Sequence, residues 1–292
     1  MFSQTCCKVS IILIVKKLYQ LFHLLQLDIA LGAVAISIWF SRLENIGYDL
    51  MIPILLGMAV WIIYTSDHIL DAYRYRKEIK GGRYEFFYRN WKILSIICIA
   101  LAIPAGFLTI NLSPDIWKVG LSLSGIVLLY LILAHFARSK FYLLKELFVA
   151  IIYAGGVLIA NIAIQGFWEV TLPLFWVFAI VLCDLLMYSI LELADDAKMN
   201  MPSLTKQLGL KQIRLLHDIF LCSAFMTWLL LSYRYEFDWF WILPSSVILI
   251  MLLQFRIKGI HFYKNGTHRY YGELIFMIPW IALLLDFLLT AI

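Results

Sequence analysis

Apolar stretches of about 20 residues recur along the chain, each long enough to cross a bilayer core as a helix. The pattern predicts nine such helices, at 20–41, 48–66, 92–111, 116–135, 145–165, 171–191, 213–233, 239–256 and 273–291. Their separators carry glycine, proline, asparagine or charge, as in Asn45–Gly47, Ser113–Asp115, Gly166, Asn200–Pro202 and Asn265–Gly266. The segment 9–19 is also fairly apolar and suits an interfacial helix. No low-complexity tract or short-period repeat intervenes, so residues 1–292 read as one all-α, polytopic membrane domain.

Composition agrees with this. Of 292 residues 63% are hydrophobic and 15% charged, and mean hydropathy is +0.87, which excludes an ordinary soluble domain. The net charge of +5 is dispersed over short loops, a distribution that suits anionic headgroups and not nucleic acid. With the N-terminus in the cytoplasm, nine helices leave 21 of the 24 basic residues on the cytoplasmic side; only Arg42, Lys118 and Arg234 fall opposite. Such a bias sets the expected orientation. The chain is expected to be a multi-pass protein, of the inner or cytoplasmic membrane if bacterial. Lys16 and Lys17 follow the short apolar run Val9–Val15 with no small-residue cleavage site, unlike a cleavable signal. Cys98, Cys183 and Cys222 lie in apolar runs as small hydrophobes, Cys6 and Cys7 lack a clear lipidation motif, and no Cys/His cluster suggests zinc.

Two carboxylate pairs change the picture. Asp67 and Asp71 follow the run Met51–Thr65; Glu192 and Asp196, with Asp195 beside them, follow Leu172–Leu191. Four residues apart on a helix, the members of each pair share a face and can reach one cation. Acids at a bilayer edge are costly unless wet, paired or metal-bound. Facing clusters of this kind suit Mg2+, which takes one or two carboxylates plus phosphate oxygens; solvated helix ends are the plainer reading. Arg74, Arg76, Lys145 and Lys198 lie close in sequence to the acids or at the same expected end, and arginine and lysine are phosphate donors, although topology alone explains most cytoplasmic basic residues. Lys145 stands out because Glu146 and a long apolar run follow it. Trp61, Tyr64, Tyr153 and Tyr188 are placed to line an isoprenoid channel or simply to pack between helices. His68, between the two aspartates, reads as a hydrated boundary residue or a proton acceptor.

These residues resemble the UbiA-type intramembrane prenyltransferase superfamily, a nine-helix bundle with an Asn-x-x-x-Asp-x-x-x-Asp motif after helix two and an Asp-x-x-x-Asp motif after helix six. Asp67 and Asp71 match the first motif, with Ile63 where the family has Asn; Glu192 and Asp196 match the second, with Glu for the leading Asp. Asp196-Ala197-Lys198, Ser203-Leu204 and Gln207-Leu208-Gly209 fall where members commonly carry Asp-Arg-Lys, Thr-Leu and Arg-Leu-Gly, and Phe141 and Lys145 keep the spacing of the family's Tyr-x-x-x-Lys. The resemblance implies that Asp67, Asp71, Glu192 and Asp196 hold Mg2+ as the catalytic site and that Arg74, Lys145 and Lys198 bind a prenyl diphosphate. The prenyl group would then pass to a lipid-soluble acceptor, often an aromatic ring. A cyclase of the same superfamily, a cation-coupled transporter and an inactive scaffold are the alternatives.

Overall fold

The computed structural model describes residues 18–47, 49–76, 82–136, 142–198 and 203–290, and these are helical apart from short turns. Phe141, Lys77, Cys6, Cys7 and Asn200–Pro202 lie outside the described residues. The first helices are α1 (Leu18–Leu24), α2 (Leu27–Leu43), α3 (Met51–Arg74), α4 (Gly82–Thr109), α5 (Pro114–Phe136), α6 (Tyr142–Val157) and α7 (Ile159–Gln165). There follow α8 (Thr171–Leu191), the short α9 (Leu193–Lys198) and α10 (Leu204–Leu208), then α11 (Leu210–Arg234), α12 (Trp239–Lys264), α13 (His268–Met277) and α14 (Pro279–Thr290). Seven spans among the described residues are long and apolar enough to cross a membrane, and two bent pairs bring the number to nine. The chain is an integral, multi-pass helical bundle.

The bends have local causes. Between α1 and α2 the axis turns by 74°, and Gln26 at the joint adopts a left-handed backbone with φ 58°. Between α6 and α7 it turns by 63° just past Gly155 and Gly156, the kind of site at which helices kink. A Cβ at Gly155 would stand 2.7 Å from Leu123 of α5, and one at Gly156 would stand 3.2 Å from Leu56 of α3. The glycines therefore also let neighbouring helices close in.

Helices two and three run well beyond their apolar cores. The hydrophobic pattern puts their adjoining ends at 66 and 92, whereas α3 continues to Arg74 and α4 begins at Gly82. Asp67 and Asp71 therefore stand inside a helix and not after one. The extension is held by a small core of Ala72, Phe87 and Leu94, with Leu25, Ile69, Tyr84 and Phe86 packed against it. This apolar face is hidden in the sequence by the charged residues interleaved with it.

At the end of the bundle opposite the acids, Trp39, Phe40, Trp176 and Trp241 are fully buried. The Trp39 and Trp241 rings stack with centroids 5.2 Å apart. Just beyond them Glu44 accepts hydrogen bonds from Tyr235 (2.5 Å), Arg234 (2.9 Å) and Gln165 (3.2 Å). That end is sealed by packing, and the polar chemistry gathers at the other.

Candidate functional site

Asp67 and Asp71 converge on one ammonium. Lys145, near the start of α6, places Nζ 3.5 Å from Asp67 Oδ2 and 3.4 Å from Asp71 Oδ2, and Tyr130 of α5 donates to Asp67 Oδ1 at 3.0 Å. The helical spacing of four thus does what it should: two carboxylates address a single cation-sized point. Arg74, a turn beyond, contributes positive charge near Asp71.

The second acid group is organised by α13. Glu192 terminates α8 and receives Arg269 Nη2 on one oxygen and His268 Nε2 (3.1 Å) on the other. Burial opposes its ionisation, but the Arg269 guanidinium and the His268 hydrogen bond hold the carboxyl below its usual range. Asp196 differs: burial, reinforced by the negative charge of Glu192, pushes its carboxyl up to about 6. Lys206 and Arg269 offset this only in part. Arg83 and Tyr84 from the start of α4 bridge the two groups electrostatically, since Arg83 feels Arg269 and Glu192 while Tyr84 feels Asp71, Arg83, Arg269 and Lys145. The Arg83 Nε is buried without a hydrogen-bond partner.

α13 docks closely because residue 272 is glycine. A Cβ there would collide with the Tyr188 hydroxyl and stand 2.6 Å from Asp184 Oδ1. Gly272→Ala should therefore destabilise the bundle by about 1–3 kcal/mol, the usual cost of overpacking, read as a lower melting temperature in detergent. An unchanged melting point would mean that α13 can shift freely.

A cavity of about 430 Å³ opens beside Asp67, lined by α3, α4, α5, α6 and the first residue of α7, within the range of small-molecule sites. Asp67 and Tyr130 lie at its polar end, and Ile63, Tyr64, Val127 and Tyr153 come next along its wall; Ile52, Ile116 and Ile159 line it towards the other end of the bundle. Fifteen residues of α3 separate Ile52 from Asp67, a rise of about 22 Å. Trp117 and Leu121 line the cavity and are also 40% and 66% exposed, so the cavity reaches the outer face of the bundle between α4 and α5.

The sequence-selected residues thus separate. Asp67, Asp71, Arg74 and Lys145 come together, with Glu192 and Asp196 as a second group. Lys198 joins neither group: it pairs with Asp195 at 2.8 Å and its side chain is 74% exposed. Tyr64 and Tyr153 line the cavity, whereas Trp61 donates to Leu25 O and Tyr188 to Arg269 O, as packing residues. His68 is no hydrated boundary residue: it is buried, with Nε2 2.9 Å from Gln26 and Nδ1 2.9 Å from Tyr64 O. Tyr130, Arg83, His268 and Arg269 were not singled out from the sequence. The signal for the α13 residues is a carboxylate, Glu273, at the start of an apolar run, with His268 and Arg269 shortly before it.

No protein-family profile matches the chain, and no curated protein matches it in sequence. Its architecture does have counterparts. The apo structure of a UbiA homolog from Aeropyrum pernix K1 superposes with a TM-score of 0.67 at 15% identity, covering 90% of this chain and 98% of that one. A structure described as digeranylgeranylglyceryl phosphate synthase in membranes superposes with a TM-score of 0.56 at 14% identity, covering 94% and 98%. With up to nine potential spans among its described residues, the chain shares the overall fold of these UbiA-type structures.

Proposed function

We propose that this protein transfers a prenyl group from a prenyl diphosphate to a lipid-soluble acceptor, such as an aromatic ring, using Mg2+, with its acidic end facing the cytoplasm. The observation that carries the reading is the shape of the cavity: a hydrocarbon-lined slot that ends on Asp67 and Tyr130, beside Lys145. Such a slot matches a molecule with a long apolar tail and a charged head. The orientation follows from the distribution of basic residues.

Mg2+ fits the residues present. The donors are carboxylate oxygens, the hard ligands that Mg2+ prefers, and Asp67 and Asp71 already converge on one cation, the Lys145 ammonium. Asp67 and Asp71 would hold one ion, and Glu192 and Asp196, which lie outside the cavity lining, would form the second acidic group. When bound, Mg2+ neutralises charge that develops on the departing diphosphate. Lys145 and Arg74 bind diphosphate oxygens, and Arg83, whose buried Nε lacks a partner, gains an anion to satisfy it. Lys198 acts at the entrance. Tyr64 and Tyr153 line the cavity, where aromatic rings can stabilise an allylic cation, and the apolar walls keep water from capturing it.

The test is incubation of the detergent-purified chain with labelled prenyl diphosphates of several lengths, with and without membrane lipid extract. Mg2+-dependent release of diphosphate with label moving into an acceptor is expected. Product formed without extract would indicate cyclisation, and failure to bind any prenyl diphosphate, with or without Mg2+, would overturn the proposal.

Ile63 gives a finer probe. It lines the cavity one turn from Asp67 and cannot ligate metal. Ile63→Asn places an amide oxygen on the same helical face and should lower the Mg2+ concentration needed for half-maximal turnover. A raised requirement would show that Ile63 packs against the substrate tail.

A further inference from the structure

We propose that His23, Asp28 and Glu273 form a second metal site, for Mn2+ or Zn2+, that ties the α1–α2 bend to α13. The three residues come from α1, the first turn of α2, and α13. Their ligand atoms lie within 4.8 Å of one another, so modest side-chain rotation brings all three to one ion with bonds of about 2.0–2.2 Å. Among the described residues this is the one group of three His, Cys or acidic side chains so placed, and the acidic pairs of the cavity do not form another.

The cluster is short of positive charge. His23 Nδ1 stands 2.7 Å from Asp28 Oδ2 and 2.5 Å from Glu273 Oε2. One ring nitrogen carries at most one proton, so it can donate to only one of these oxygens. With the hydrogen bond assigned to Asp28, Glu273 Oε2, although 2.5 Å from the same nitrogen, has no donor of its own in a residue only 6% exposed. A second orphan lies close by. Asp184 is 5% exposed, its Oδ1 has no partner, and Glu273 is foremost among the charges acting on it. Three buried carboxyl groups crowd around one imidazole, an arrangement that is costly in a low-dielectric interior whether the acids are charged or neutral. A divalent ion replacing the imidazole proton removes the deficit.

The donor set selects the ion. One imidazole nitrogen and two carboxylates suit Mn2+ or Zn2+ better than Mg2+, which favours oxygen ligands alone. Tyr270 covers the imidazole with its ring centroid 4.0 Å away, and Tyr19 stacks on Tyr270, so aromatic rings close one side of the site. Glu273 lies one helical turn beyond Arg269, the residue that grips Glu192. Occupancy would therefore fix α13 and hold Arg269 in register with Glu192.

The experiment uses the full chain, purified in detergent, stripped with chelator and loaded with Mn2+ alone. Pulsed electron paramagnetic resonance should show coupling of Mn2+ to an imidazole nitrogen. The coupling should persist in Asp71→Asn and His268→Gln and disappear in His23→Gln. Glu273→Gln should weaken this nitrogen-coupled site at least tenfold. No nitrogen coupling in the unmodified chain, or coupling that survives His23→Gln, would overturn the proposal, and loss in His268→Gln would assign the nitrogen elsewhere and overturn it too. Should His23→Gln fail to fold, the nearly isosteric Asp28→Asn decides: a tenfold weaker site supports the assignment, and unchanged affinity removes it.

Discussion

Asp67→Asn or Asp71→Asn should reduce prenyl diphosphate turnover by about a thousandfold or more, since a metal ion that stabilises a leaving group supplies several kcal/mol at the transition state. The fold should survive. Asp67 and Asp71 side chains are 18% and 24% exposed, and removing either leaves Lys145 with the other as counter-ion. Asp196→Asn should behave similarly. Chelator should stop the unmodified chain, and added Mg2+ or Mn2+ should restore it. Full turnover in chelator would eliminate the metal role for these acids, while an aggregated variant would be evident in size-exclusion chromatography before any assay.

Lys145→Met should separate metal binding from catalysis. In the structure the ammonium occupies the point on which Asp67 and Asp71 converge, so it competes with Mg2+ for both. Removing it leaves two partly buried carboxylates with no cation between them and should increase Mg2+ affinity, by about tenfold if the lost competition is worth about 1.4 kcal/mol. Turnover should nevertheless fall, by about a hundredfold, if the side chain also binds the diphosphate as proposed. Calorimetric titration with Mg2+ and a turnover assay on the same preparation check both arms. Weaker Mg2+ binding in Lys145→Met would mean that the lysine supports the metal site instead of competing for it.

The number of spans was legible from the length of the apolar runs, because a helix that must bury its backbone polarity in hydrocarbon needs about twenty such residues. The acids were legible for the converse reason: carboxylates next to those runs need a partner. The extensions of α3 and α4 were hidden. Their stabilising face is only Ala72, Phe87 and Leu94, set among arginines and lysines that hydropathy reads as loop. The α13 contribution was hidden more deeply, since Glu192 and its partners His268 and Arg269 are 76 and 77 residues apart. Sequence shows that these residues are charged; only packing shows that they meet.

The thin outer wall of the cavity has a consequence for measurement. Only 11% of the apolar windows of α4 and α5 is buried within the protein, so on that side the lining helices face lipid on their backs. A ligand entering between them would arrive from the bilayer and not from solution. Its relevant concentration is then its mole fraction in the membrane, and diluting vesicles with inert phospholipid at constant bulk substrate should lower the rate just as diluting a soluble substrate would. Saturation curves taken in micelles and in vesicles should coincide when plotted against surface density and diverge when plotted in molar units.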